Sequence, residues 1–254
     1  MLKFSCLLYP FLLLANLVTQ SAYAQTVNVA VASNMKPAFE VIYRDFKRTH
    51  PEDLRVVYGS SGNFASQIKQ GAPFSLFISA DEAFPNYLYR AGLTRDTGVV
   101  YAIGYLAFIA NNSSGIKVSA DPEQIQFILG QSKRIAIANP DLAPYGRAAV
   151  QYLQSTKLWD RLKDKLVYGE NISVATMYVS SGAAYVGITA LSLAKAPELS
   201  GSINYIALPE SLYTPIKQRM ILMKNPSALA VELYDYLQSP EAKAVLFKYG
   251  YSTP

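Results

Sequence analysis

The sequence predicts an α/β protein built on parallel sheets, and three observations carry that expectation. Short runs of β-branched and small apolar residues hand over repeatedly to amphipathic helical segments. The joints between them are rich in Ser, Asn, Gly and Pro, the residues that open helices and shape turns. The chain of 254 residues, 51% apolar and only 16% charged, is large enough to bury a core unaided. Taken in order, "VNVAVASNMKPAFEVIYRDF" (27–46) begins as a strand and becomes a helix at Ser33, Asn34, Met35, Lys36 and Pro37. Pro37 suits a first helical turn, and Ser33 is expected to cap the helix while leaving free N–H groups at its start. "LRVVYGSSGNFASQIKQG" (54–71) runs from a strand at 54–58 through 59–63 into a helix carrying Phe64 and Ile68. "FSLFISADEAFPNYLYRAG" follows, with a strand at 74–78 and a helix ending near Gly92. A strand at 134–138 leads through a Pro-punctuated loop to a helix from about Tyr145. A strand at 165–168 leads past Glu170 and Asn171, both cap candidates, to a helix from Ile172, and "AAYVGITAL" reads as one more short buried strand. In open α/β sheets ligands bind beyond the carboxyl ends of the strands, so Ser33, Ser61, Tyr145 and Ile172 mark candidate anion-facing joints.

The amino-terminal 24 residues have one early charge at Lys3, an apolar stretch from Phe4 to Val18 and "AYA" before Gln25. This is the pattern of a secretory signal peptide cleaved after Ala24. The single cysteine, Cys6, lies inside the apolar stretch, so the mature chain is expected to hold no disulfide, thiolate metal site or cysteine nucleophile. About 230 residues then remain, enough for one large domain or two smaller ones. The net charge of +5 is dispersed and no basic cluster is interleaved with aromatics, which argues against a nucleic-acid partner. His50 is the only histidine and stands beside Pro51 in a helix-to-strand turn, where it makes neither a triad nor a His-based metal site.

The chemistry at the joints is that of neutral donors. "GSSGN" is Gly-rich, but no Lys-Ser or Lys-Thr pair follows it, so it is not a nucleotide P-loop, and no G-x-S-x-G elbow is present. Asp81, Glu82, Asp141 and Glu170 read as surface or capping carboxylates, and Lys36 and Arg147 as exposed first-turn cations. The hydroxyls of Ser33 and Ser61, the Tyr145 phenol and backbone N–H groups remain. Such a set suits reversible capture of a small, fully dehydrated oxyanion, with no nucleophile–base pair for an enzyme.

Several stretches together resemble the periplasmic molybdate-binding proteins that feed ABC transporters: "VAVASNMKPAFE" (29–40), "YGSSGNFASQIKQGAPFSLFISAD" (58–81), "ANPDLAPYGRAA" (138–149), "GENISVATMYVSSGAAYVGI" (169–188) and "YDYLQSPEAKAVLFKYGY" (234–251). The resemblance covers essentially the whole mature chain. It implies a type II periplasmic binding protein fold, with two α/β domains, two crossovers and the ligand in the interdomain cleft. The first domain would hold residues 25–105 and 208–254, the second 106–207, with hinges near 105–108 and 206–209. Ser33 and Ser61 would each offer a hydroxyl and an N–H, Tyr145 and Ile172 their N–H groups, and Asn34 a further contact. It also implies a monomer that is not an enzyme and has no cofactor, carrying molybdate or tungstate to a permease in the inner membrane. A binding protein for sulfate, thiosulfate or phosphate on the same fold is the alternative.

Two positions depart from the family pattern. Some relatives place alanine where this chain has Tyr145, and a pocket tyrosine where it has Ala190, so the Tyr145 phenol is expected to replace the missing donor. Ser75 stands where many relatives carry Asp.

Overall fold

A computed structural model of the protein describes residues 27–254; the signal peptide expected over 1–24 lies outside the described residues. Among the described residues ten strands form two five-stranded mixed sheets. The first sheet contains β1 (Val27–Ala32), β2 (Leu54–Gly59), β3 (Phe74–Ile78), β4 (Val99–Gly104) and β10 (Ile216–Leu222), in the order β2-β1-β3-β10-β4. The second contains β5 (Leu106–Asn111), β6 (Ile135–Ala138), β7 (Leu166–Gly169), β8 (Val186–Ala190) and β9 (Ile203–Ala207), in the order β7-β6-β8-β5-β9. The two orders match place for place. In each, the first three strands are parallel, and the fourth, β10 or β5, runs antiparallel to both of its neighbours, so the fifth runs with the first three.

The chain crosses between sheets twice, each time from the fifth strand of one to the fourth strand of the other. The first crossing is Tyr105, between β4 and β5, and the second is the segment 208–215, between β9 and β10. This is the two-crossover, type II periplasmic binding protein architecture.

Side-chain alternation along the strands explains how the first sheet is covered. Val29 and Val31, Leu76 and Ile78, and Met220 and Leu222 face one side, where they pack with Phe39, Ile42 and Phe46 of α1 (Lys36–Phe46). Leu233 of α9 (Ala228–Tyr236) and Leu246 of α10 (Pro240–Lys248) complete that layer. The residues between, Ala30, Phe77 and Ile221, face the other side against Phe64 and Ile68 of α2 (Ser61–Lys69) and Leu88 of α3 (Ala83–Arg90).

The second sheet is covered in the same way. Phe108, Ile135, Ile137 and Ile188 pack with Leu129 of α4 (Pro122–Gln131), Ala149 and Leu153 of α5 (Pro144–Ser155) and Leu162 of α6 (Trp159–Leu162). Ala107, Ile109 and Ala136 meet Val179 of α7 (Ile172–Ser180) and Ala194 of α8 (Leu191–Ala194) on the opposite face. Ala32, Ala80 and Ile216 of the first unit belong to the core cluster of the second, so the two units are closed upon each other. Among the described residues no helix is long and apolar enough to cross a membrane.

Candidate functional site

The joints after β1, β2, β6 and β7 all lie where the two units meet. Ser33, Asn34, Ser61, Tyr145 and Ile172 are all buried. The α7 start faces the β1 joint: Ser173 donates its N–H toward Ser33 Oγ at 3.4 Å and its hydroxyl to the Ser33 carbonyl at 3.1 Å. The α2 start faces the loop before α5, where the Gly62 N–H donates to the Leu142 carbonyl at 2.9 Å. That approach needs glycine, since a Cβ at position 62 would stand 2.9 Å from the Leu142 oxygen.

Three hydroxyls share one arrangement. Ser33 Oγ accepts from Ser173 N, Ser61 Oγ accepts from the Ala80 N–H at 3.0 Å, and Tyr145 Oη accepts from Gln218 Nε2 at 3.0 Å. None of the three finds a protein acceptor for its own hydrogen among the described residues, so each keeps one donor uncommitted. The N–H groups of Ser61, Tyr145 and Ile172 likewise sit in first helical turns, where no intrahelical acceptor exists. Burial pushes the Tyr145 phenol well above its ordinary range, so it remains a neutral donor.

Ser33 does not cap α1, contrary to expectation. It opens a single 3-10 turn over Ser33–Met35, and its hydroxyl turns across the cleft to Ser173. Asn171 caps α7 as expected, accepting from the N–H groups of Ser173 and Val174. Glu170 does not cap; it accepts from Asn63 Nδ2 at 2.7 Å, joining the two units. Arg147 is not a free surface cation, because its guanidinium reaches across the cleft to Asp81. Asp81 also accepts from the Phe84 N–H, and burial holds its carboxyl above the usual carboxylate range although Arg147 opposes that shift. This pair borders a rim cavity of about 200 Å³ lined by Pro144, Gln151, Thr214 and Lys217. Lys36 is exposed, as expected, with its ammonium over the Tyr58 ring.

Ser75 lies at the amino end of β3, away from the joints at the strands' carboxyl ends. His50 stacks on Phe46 beyond the far end of α1. Ala190 ends β8 inside the core cluster that holds Tyr145.

The sequence reading missed Gln218, Tyr101 and Tyr251. Tyr101 Oη donates to Gln218 Oε1 at 2.9 Å, and Asn34 Nδ2 donates to both Gln218 Oε1 and Tyr251 Oη at 2.9 Å. The Asn34 carbonyl accepts from Tyr251 Oη at 3.0 Å and from Ser192 Oγ at 2.9 Å. One signal was available: "IKQRMIL" puts a glutamine at an inward position otherwise held by Ile216, Met220 and Leu222. Ser60 Oγ and Asn34 Oδ1 are buried with no protein partner. No cluster of His, Cys, Asp and Glu suited to a metal ion occurs among the described residues.

A family model for bacterial extracellular solute-binding proteins matches residues 27–252. The chain belongs to this family. Within it, the chain is of the ModA type. It is 35% identical to the molybdate-binding protein ModA of Azotobacter vinelandii over 93% of this chain and 94% of that protein. It is 34% identical to ModA of Rhodobacter capsulatus over 91% and 90% of the two chains. The solved periplasmic molybdate-binding protein of Azotobacter vinelandii superposes with a TM-score of 0.80 at 28% identity, covering 90% of this chain and 99% of that one. The family is one of extracellular solute-binding proteins. A sulfate-binding protein of Mycobacterium tuberculosis shares the fold at 13% identity and a TM-score of 0.72.

Proposed function

We propose that this protein captures molybdate, and tungstate with it, in the periplasm and delivers it to an ABC permease in the inner membrane. The observation that carries the reading is the set of three buried hydroxyls, each holding a protein N–H and each with its own hydrogen uncommitted. A fully deprotonated tetrahedral oxyanion offers only acceptors and is the natural complement of such a set. Relatives named for molybdate at 35% and 34% identity direct the choice among oxyanions. In this reading Ser33, Ser61 and Tyr145 donate hydroxyl hydrogens. Ser61, Tyr145 and Ile172 add N–H groups, and Asn34 braces the β1 joint. Six donors at about 1.5–3 kcal/mol each exceed what binding needs before dehydration and closure are subtracted.

The proposed binding domains are 25–105 with 208–254, and 106–207, closing as a monomer. An export signal cleaved after Ala24 accounts for the location. A thermal-shift panel of molybdate, tungstate, sulfate, thiosulfate and phosphate tests the assignment. Large shifts with the first two and small ones with the rest are expected. A sulfate shift equal to that of molybdate replaces it with the sulfate reading.

A further inference from the structure

Gln218 is fully buried in β10, a strand whose neighbouring inward residues are apolar. A primary amide in that setting is costly unless its groups are bonded. Its oxygen accepts from Asn34 Nδ2 at 2.9 Å and from Tyr101 Oη at 2.9 Å, whose one hydrogen also lies within reach of the Ser79 carbonyl at 3.2 Å, and its nitrogen faces Tyr145 Oη at 3.0 Å. An amide nitrogen donates and does not accept, so the Tyr145 hydrogen has no way back along this contact. Gly104 of β4 lies on another side of the phenol. A Cβ there would fall 2.0 Å from the Tyr145 oxygen and 2.5 Å from Gln218 Nε2, so no side chain at that position receives the hydrogen either.

We propose that Gln218 is a positioning residue that sets the direction of the Tyr145 hydroxyl, holding its hydrogen toward the bound oxyanion, and that it couples Tyr145 to Asn34 across the cleft. The proposal rests on the reading of Tyr145 as a ligand donor. Gln218 itself need not touch the anion. Its part is to fill the acceptor side of the phenol with an N–H so that only the donor side faces the ligand. An ionised carboxylate in the same place would have the opposite effect, since it accepts only and would draw the Tyr145 hydrogen away.

Calorimetric titration with molybdate at neutral pH of the wild type, Tyr145→Phe, Gln218→Met and the double variant tests this. Each single change is expected to weaken binding roughly 10- to 100-fold, and the double variant should be no weaker than about the worse single. Losses that multiply, or full affinity in Gln218→Met, overturn the proposal while leaving Tyr145 as a donor. Full affinity in Tyr145→Phe instead removes the donor reading, and the proposal falls with it.

Because Gln218→Met removes a buried amide and can unsettle folding, Gln218→Glu gives a second route. Its protonated acid keeps a carbonyl acceptor for Tyr101 and Asn34 and an O–H donor for Tyr145, whereas the ionised form has no donor. Molybdate affinity of Gln218→Glu should fall at least 10-fold from about pH 5.5 to 8.5 beyond any change in the wild type, as a buried carboxyl titrates. Adding Tyr145→Phe should flatten that slope. A slope that Tyr145→Phe leaves unchanged is charge repulsion alone and overturns the proposal, as does a flat profile in Gln218→Glu.

Discussion

Ser33 and Ser61 sit in equivalent places, one after β1 and one after β2, yet their hydroxyls are held by different neighbours. Ser61 Oγ takes an N–H from Ala80 within its own unit, whereas Ser33 Oγ takes one from Ser173 of the other unit. Ser61→Ala should therefore cost about 1.5–3 kcal/mol of molybdate binding, a 10- to 150-fold loss, by deleting one donor to a charged group. The Ala80 N–H also loses its partner, which adds a stability cost of about 1 kcal/mol. Ser33→Ala should lose a similar amount of binding with little effect on α1, because Ser33 makes no cap there. Calorimetric titration together with melting of the ligand-free variants separates the two contributions. Full affinity in either variant removes that serine from the site.

At the scale of elements, the starts of α2, α5 and α7 lie where the two units meet, and polar contacts across the cleft join their loops beside the apolar contacts of Ala32, Ala80 and Ile216. The Arg147–Asp81 pair joins α5 to the loop after β3, and Asn63 joins α2 to Glu170 before α7. Asp81 shapes how the closed form responds to pH. Its carboxyl is held above its ordinary value of 3.8, chiefly by burial, so the folded form binds the proton more tightly than the unfolded chain. The stability this group contributes is therefore complete below pH 3.8 and is lost as pH rises through the folded value. Asp81→Asn removes that titration and should flatten the corresponding acid-side part of the curve of melting temperature against pH for the molybdate-bound protein. An unchanged curve would show that Asp81 is solvated in solution. Arg147 is partly exposed, so its pair with Asp81 is expected to add little net binding energy beyond orienting the rim.

For the whole molecule, the doubled sheet topology places half of the proposed donors on each unit, and among the described residues the chain passes between the two sheets at Tyr105 and the segment 208–215. A ligand that bonds both units favours the closed form and stabilises it by mass action. Small-angle scattering should show a smaller radius of gyration with saturating molybdate than without, and the melting temperature should rise with molybdate concentration. An unchanged radius at saturation would count against closure as the binding step. Tungstate should match molybdate in both measurements, since it presents the same acceptor-only tetrahedron.

Much of this was legible in the residues alone because it is local. The β-branched and apolar runs in "VNVAVA" and "FSLFI" mark strands β1 and β3, and the start of α7 at Ile172 behind its Asn171 cap follows from residue chemistry. Ser61, Tyr145 and Ile172 were found as joint residues for the same reason: a strand's carboxyl end followed by a helix start is visible in a short window. What the tertiary structure alone decided is which groups meet across long separations. Asn34 and Gln218 are 184 positions apart, Asn34 and Tyr251 are 217, and Gln218 and Tyr145 are 73. No periodicity relates such residues; Gln218 meets its partners because β10 returns from the second unit to lie between β3 and β4, and Tyr251 because the segment after α10 comes back beside β4. The same holds for Ser33, whose type and place suggest a cap until Ser173 arrives from the other unit, and for Arg147, whose partner lies in the loop after β3 of the other unit. Sequence determines where donors can stand, through local backbone geometry. Only the fold decides where their hydrogens point, because that depends on which acceptor or donor occupies the other side of each oxygen.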